Sequence, residues 1–234
     1  IRKRGKNVSS ELIIPLPGET KETFFEGVNF LLDNNVSPNV YTLMMLCGAE
    51  LGRDLAIKKN NMKSKYRILP KSFGKYNEKI VVETERICVG TNAMSFQDYL
   101  ECRNYSFILR LISHQSFLPI YKIAKEFDIG WDELSKKLTE LIQKEEFNGK
   151  LKDIFNEFCK ESLNELFDSE KEAIDFYSEE KNYKLLKSGD IGDNLIGKYT
   201  AKALLEINEI VPVIFKLMNS EFNIKENENF KKVS

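Results

Sequence analysis

The chain has 234 residues, 42% of them hydrophobic and 30% charged, enough apolar material for one large domain or two modest ones. Its 35 Lys and Arg nearly cancel 36 Asp and Glu, so net charge makes no case for nucleic acid as a partner. The longest apolar runs fall far short of the roughly 18 residues a membrane span needs, and no secretory leader pattern opens the chain, so a cytoplasmic protein is expected. The first residue is Ile1, followed closely by Arg2, Lys3, Arg4 and Lys6, the start expected of a processed or truncated chain.

Residues 11–16 (ELIIPL) form a short apolar run closed by Pro17-Gly18, which predicts a buried strand ending in a turn. Thr20 then suits a helix N-cap, with Glu22 in the first turn and Phe24, Val28 and Leu31 at helical spacing. A second apolar run, VYTLMML at 40–46, completes strand, helix and strand, the spacing of a right-handed βαβ unit with parallel strands. Between Arg53 and Lys79 nine positive residues stand against Asp54 and Glu78. This stretch reads as a loop, either a solvated or docking face or an anion site for a phosphorylated ligand at a strand end. A third strand is predicted over 80–90 (IVVETERICVG), followed by a helix starting near Ser95.

From about residue 95 the pattern is helical. His114, the single histidine, ends an apolar helical stretch and reads as structural. Leu134, Leu138 and Leu141, and then Leu151, Ile154, Phe155, Phe158, Cys159, Leu163 and Leu166, keep a 3.6-residue period. A last long helix over 195–218 carries Pro212, which predicts a kink or break. The polar tail NIKENENFKKVS is expected to fray. Residues 1–110 hold 17 Lys and Arg against 12 Asp and Glu, and residues 111–234 hold 18 against 24, so a basic first half precedes an acidic helical one. Cys47, Cys88, Cys102 and Cys159 are too dispersed for a zinc pattern or a disulfide framework, and no metal site is expected in this chain.

The segment ELIIPLPGETKETF resembles the fifth-strand motif of radical S-adenosylmethionine enzymes, in which a strand ends in a turn like G-L-P-G-E-T and runs into a helix. LMMLCGAELGRD (43–54), YRILPKSFGKY (66–76), VETERICVGT (82–91) and NAMSFQDY (92–99) follow in the order seen in the subgroup that carries a cobalamin-binding domain. The similarity covers about residues 8–112. It implies an α/β fold, the C-terminal part of a partial (β/α)6 TIM-like barrel over 1–112, followed by a mostly α-helical region over 113–234.

The same resemblance implies that the full-length parent uses S-adenosylmethionine, a 4Fe-4S cluster and cobalamin for radical chemistry on a small-molecule or phosphorylated substrate. It further implies that Ile14, Pro15 and Leu16, with the backbone at Leu46 and Cys47, form one wall of the cofactor pocket, and that Glu50 and Arg53 orient the substrate. Pro15 stands where the family commonly has glycine, which removes a backbone donor there. The CxxxCxxC cluster motif is absent, so the parent's N-terminal half is the missing partner and the fragment alone is expected to be inactive. Two other readings stay open: a non-catalytic protein whose acidic helices bind a partner, and a different α/β enzyme holding a phosphorylated ligand on the basic stretch 53–79. The catalytic residues and the substrate are not specified by any pattern in the chain.

Overall fold

The computed structural model describes residues 8–224; the basic N-terminal residues through Lys6 and the tail from Lys225 onward lie outside them. Strand β1 (Ser9–Ile14) stops where Pro15 has no N–H to donate. The chain then turns through Leu16–Glu19, with the Glu19 N–H donating to the Leu16 carbonyl at 3.1 Å. Proline second and glycine third is the residue order of a type II turn, and Gly18 takes the required positive φ, +85°. Helix α1 (Lys21–Asp33) starts at a reciprocal cap: Thr20 Oγ1 accepts from the Thr23 N–H, and Thr23 Oγ1 from the Thr20 N–H. Its buried face, Phe24 and Val28, lies in the core. Strand β2 (Ser37–Thr42) pairs parallel with β1, Ser9 opposite Ser37 through Ile14 opposite Thr42, so the βαβ unit read from the sequence is present.

The second strand is displaced from its expected span. It begins three residues earlier, at Ser37-Pro38, and its apolar end, 43–46, leaves β1 for another partner. Met45 N–H donates to Arg86 O at 2.8 Å and Cys88 N–H to Leu43 O at 2.9 Å, an antiparallel bridge to the third predicted strand. An apolar run marks burial but not the neighbour that provides it.

The basic stretch is not a loop. After a 3₁₀ turn at Glu50–Gly52 it forms helix α2 (Asp54–Lys59) and strand β3 (Lys63–Tyr76), which pairs antiparallel with β4 (Lys79–Gly90). Asn77 and Glu78, both at positive φ, make the two-residue hairpin turn. Pro70 and Lys71 sit in a bulge where four residues of β3 face only Glu83 of β4. A proline interior to a strand is tolerated at such a bulge, where no ladder donor is needed.

Helix α3 (Phe96–Ile112) begins at the Ser95–Asp98 capping box, at the expected residue. The chain then continues through α4 (Leu118–Glu126), α5 (Trp131–Gln143), α6 (Lys150–Asn164), α7 (Glu170–Ser178), α8 (Glu180–Ser188), α9 (Leu195–Leu205) and α10 (Ile207–Phe222). His114 caps a 3₁₀ turn after α3, its Nδ1 accepting from the Ser116 N–H. The long C-terminal helix breaks at Glu206, and Pro212 lies in the second turn of the new helix. Of the α5 and α6 stripes, Leu134, Leu138, Leu151, Ile154, Phe155 and Phe158 are buried, Leu141, Cys159 and Leu166 are half-buried, and Leu163 is 47% exposed. One apolar core runs from Ile14 through α3 to Met218 on α10. The protein is thus α/β in class, and among the described residues no helix is long and apolar enough to cross a membrane.

The charge asymmetry of the sequence has a structural use. Lys65 on β3 pairs with Asp168, Arg67 with Glu165, and Lys75 with Glu180, so the basic hairpin is docked on the acidic helical half. A second apolar cluster, Ile68 and Val82 against Tyr177, Tyr183 and Leu186, seals that contact.

Candidate functional site

The C-terminal ends of the two parallel strands lie side by side, the position at which parallel α/β sheets build their sites. The Leu43 N–H donates to the Ile14 carbonyl at 2.7 Å, which joins the end of β1 to the segment leaving β2. Ile14 and Pro15 are buried, whereas Leu16 faces outward. Leu46 and Cys47 are exposed beyond the β4 bridge. Glu50 lies in the 3₁₀ turn and Arg53 immediately before α2; both are exposed and neither makes an ion pair among the described residues.

This loop is held by backbone packing more than by side chains. A Cβ at Gly52 would stand 2.2 Å from the Leu46 carbonyl oxygen, so the loop closes back on itself only with glycine there. Gly52→Ala is expected to shift Leu46 through Gly52 and to destabilise the protein by about 1–3 kcal/mol. The checks are the urea unfolding midpoint and displaced amide resonances confined to that loop; an unchanged loop spectrum would contradict it.

Sequence reasoning missed Glu19, which follows the Pro-Gly turn. Its Oε2 is buried without a partner, and burial raises its carboxyl pKa above the ordinary value, opposed by a hydrogen bond from the Leu16 backbone. Its place between the turn glycine and the helix cap was the available signal. Next to it, Lys21 holds the starts of α1 and α3 together through Glu101 at 2.9 Å and Asp98 at 3.3 Å. Those two bonds raise the Lys21 pKa to about 12.

The cysteines do not converge. Cys88 and Cys102 are fully buried, and Cys159 lies half-buried on α6. Burial pushes all three thiols up, Cys102 to about 12 and Cys159 to about 11; standing on β4, α3 and α6, they are not gathered as the ligands of an iron–sulfur cluster. Among the described residues no group of three His, Cys, Asp or Glu side chains is arranged to hold a metal ion.

The strand pair carries one further feature. Leu12, Val40 and Ile14 face the core, while Ile13 and its register partner Tyr41 point to the other side and are 40% and 52% exposed. Beyond β2, Met44 and Leu46 are also exposed, at 40% and 56%. Neither a protein-family model nor a curated protein sequence matches the chain.

Proposed function

We propose that this chain is the C-terminal part of the catalytic domain of a radical S-adenosylmethionine enzyme, of the subgroup carrying a cobalamin-binding domain, with the helical half as an appendage. In this reading β1 and β2 are two strands of a partial (β/α)6 barrel. Ile14 to Leu16 and the backbone at Leu46 and Cys47 form one wall of the cofactor pocket, and Glu50 and Arg53 face the substrate. The observation that carries it is the bare face of β1 and β2. Parallel strands are ordinarily covered on both faces, yet here α1 covers one and the other shows Ile13 and Tyr41. Among the described residues the outer edges of both strands are also unpaired. A pair of parallel strands with one face uncovered, polar at Ser9, Glu11, Ser37 and Asn39 but apolar at its C-terminal end, and with open edges is what a piece of a larger parallel sheet presents.

Cluster ligands in this reading belong to the N-terminal half, since the cysteines of this chain do not fit that role. The bound cofactors supply the radical chemistry; the residues here contribute an apolar wall and a water-excluding surface. The test is to express the chain joined to the segment encoded upstream of Ile1, reconstitute it with iron and sulfide without oxygen, and supply S-adenosylmethionine and a reductant. The expected result is cluster absorption and 5′-deoxyadenosine from the joined protein and neither from this chain alone. An upstream segment without CxxxCxxC, or a reconstituted protein that forms no 5′-deoxyadenosine, overturns the proposal.

A further inference from the structure

A cleft of about 280 Å³ lies between the free edge of β2, the start of the β3 bulge, helix α3 and the N-terminus of α9. Three arginines line it: Arg67 from β3, and Arg103 and Arg110 from α3. Arg103, Ser106 and Arg110 fall at i, i+3 and i+7, one face of the helix.

We infer that this cleft binds a small molecule with a single anionic head, a carboxylate or phosphate group, carried on an apolar body. Burial of guanidinium groups is costly unless they are paired and hydrogen-bonded, and here the pairing is incomplete. Glu165 Oε1 accepts from both Arg67 Nη1, at 3.2 Å, and Arg103 Nη2, at 2.8 Å, holding the two groups side by side. Arg67 Nε also donates to Glu85 and Arg103 Nε to Ser162. Each guanidinium has five N–H donors, so both keep donors in hand, although the Arg103 side chain is only 9% exposed. Arg110 forms no ion pair among the described residues.

The opposite wall adds donors of a different kind. Asn194 caps α9 through the Gly197 N–H, and among the described residues the Leu195 and Ile196 amides at the cleft have no hydrogen-bond partner. Such amides at the positive end of a helix favour an anion. The class of ligand follows from the charges and the volume. Against the three arginines stand Glu165 and Asp193 in the lining and Glu85 behind Arg67, so Arg110 is the one arginine that no carboxylate pairs among the described residues. That suits a single anionic head and not a polyphosphate or a nucleic-acid backbone. Val40, Leu109 and Leu195 supply the apolar part of the wall, and the volume lies at the small end of ligand sites.

The cleft lies within the described residues, and the inference stands whether or not the barrel proposal does. The experiment uses the full chain, titrated at constant ionic strength with inorganic phosphate in one arm and butyrate in the other, and follows the amide resonances of Leu195, Ile196 and Gly197. Saturable shifts with one probe are expected and identify which head group is preferred. Arg110→Gln, an exposed change that spares the fold, is expected to weaken that binding by about tenfold or more, while Lys122→Gln on exposed α4 leaves it unchanged. Failure of both probes to saturate, or Arg110→Gln binding as tightly as the unaltered chain, overturns the inference.

Discussion

Glu165→Leu is expected to cost about 3–5 kcal/mol of folding stability, the loss seen when one partner of a buried ion pair is removed. The carboxylate is 8% exposed and holds two guanidinium groups through a single oxygen. Removing it does not strand them equally. Arg67 keeps its second carboxylate, Glu85, at 2.5 Å; burial lowers the Arg67 pKa, but Glu165 and Glu85 outweigh it and raise the value above the ordinary guanidinium range. Arg103 keeps the hydroxyl of Ser162 at 3.2 Å and the face of the Phe158 ring but no carboxylate, so it becomes the charge without a counterion. Adding Arg103→Met should therefore recover most of the loss, because an apolar side chain of similar length needs no counterion. Urea unfolding of both single variants and the double variant checks this. A double variant no more stable than Glu165→Leu would place the cost elsewhere than in the stranded arginine.

That network shows where sequence reading stops. Arg67 and Glu165 are 98 residues apart, and Arg103 and Glu165 are 62 apart, so no local pattern joins them. The sequence does carry a global signal, a basic first half and an acidic second half, and the structure turns it into the specific pairs Lys65 with Asp168, Arg67 with Glu165 and Lys75 with Glu180. The β1–α1–β2 unit was legible because its punctuation is local: Pro17-Gly18 turns the chain and Thr20 caps the helix. Strand β3 was not, since lysines interrupt its alternation, Pro70 argues against an interior strand, and Asn77-Glu78 lacks the glycine that usually marks a tight hairpin. Of the predicted site, the Ile14 end of β1 does meet the segment leaving β2. Glu50 and Arg53 stay in solvent, because the bridge of Met45 to Arg86 carries the chain away before it reaches them.

Phe158→Ala is expected to destabilise the protein by about 3–5 kcal/mol, through lost burial and a cavity that three packed helices cannot close. The ring on α6 is fully buried, its centroid 4.5 Å from that of Phe107 on α3 and 5.7 Å from that of Tyr199 on α9. It also lies beneath the Arg103 guanidinium, 5.7 Å from ring centre to central carbon. Truncation therefore acts on two links at once: it loosens the junction of α3, α6 and α9, and it removes the aromatic support of a cleft arginine. Phe158→Leu retains most of the volume and loses the ring, so it should lose clearly less stability than Phe158→Ala while giving up the same cation–π contact. Urea unfolding separates the two effects from a change in the unfolded chain, since a lower midpoint at constant slope marks a loss of native stability. If Phe158→Ala cost less than about 1 kcal/mol, the helices would have collapsed onto the space, and Phe158 would not be the centre of the junction.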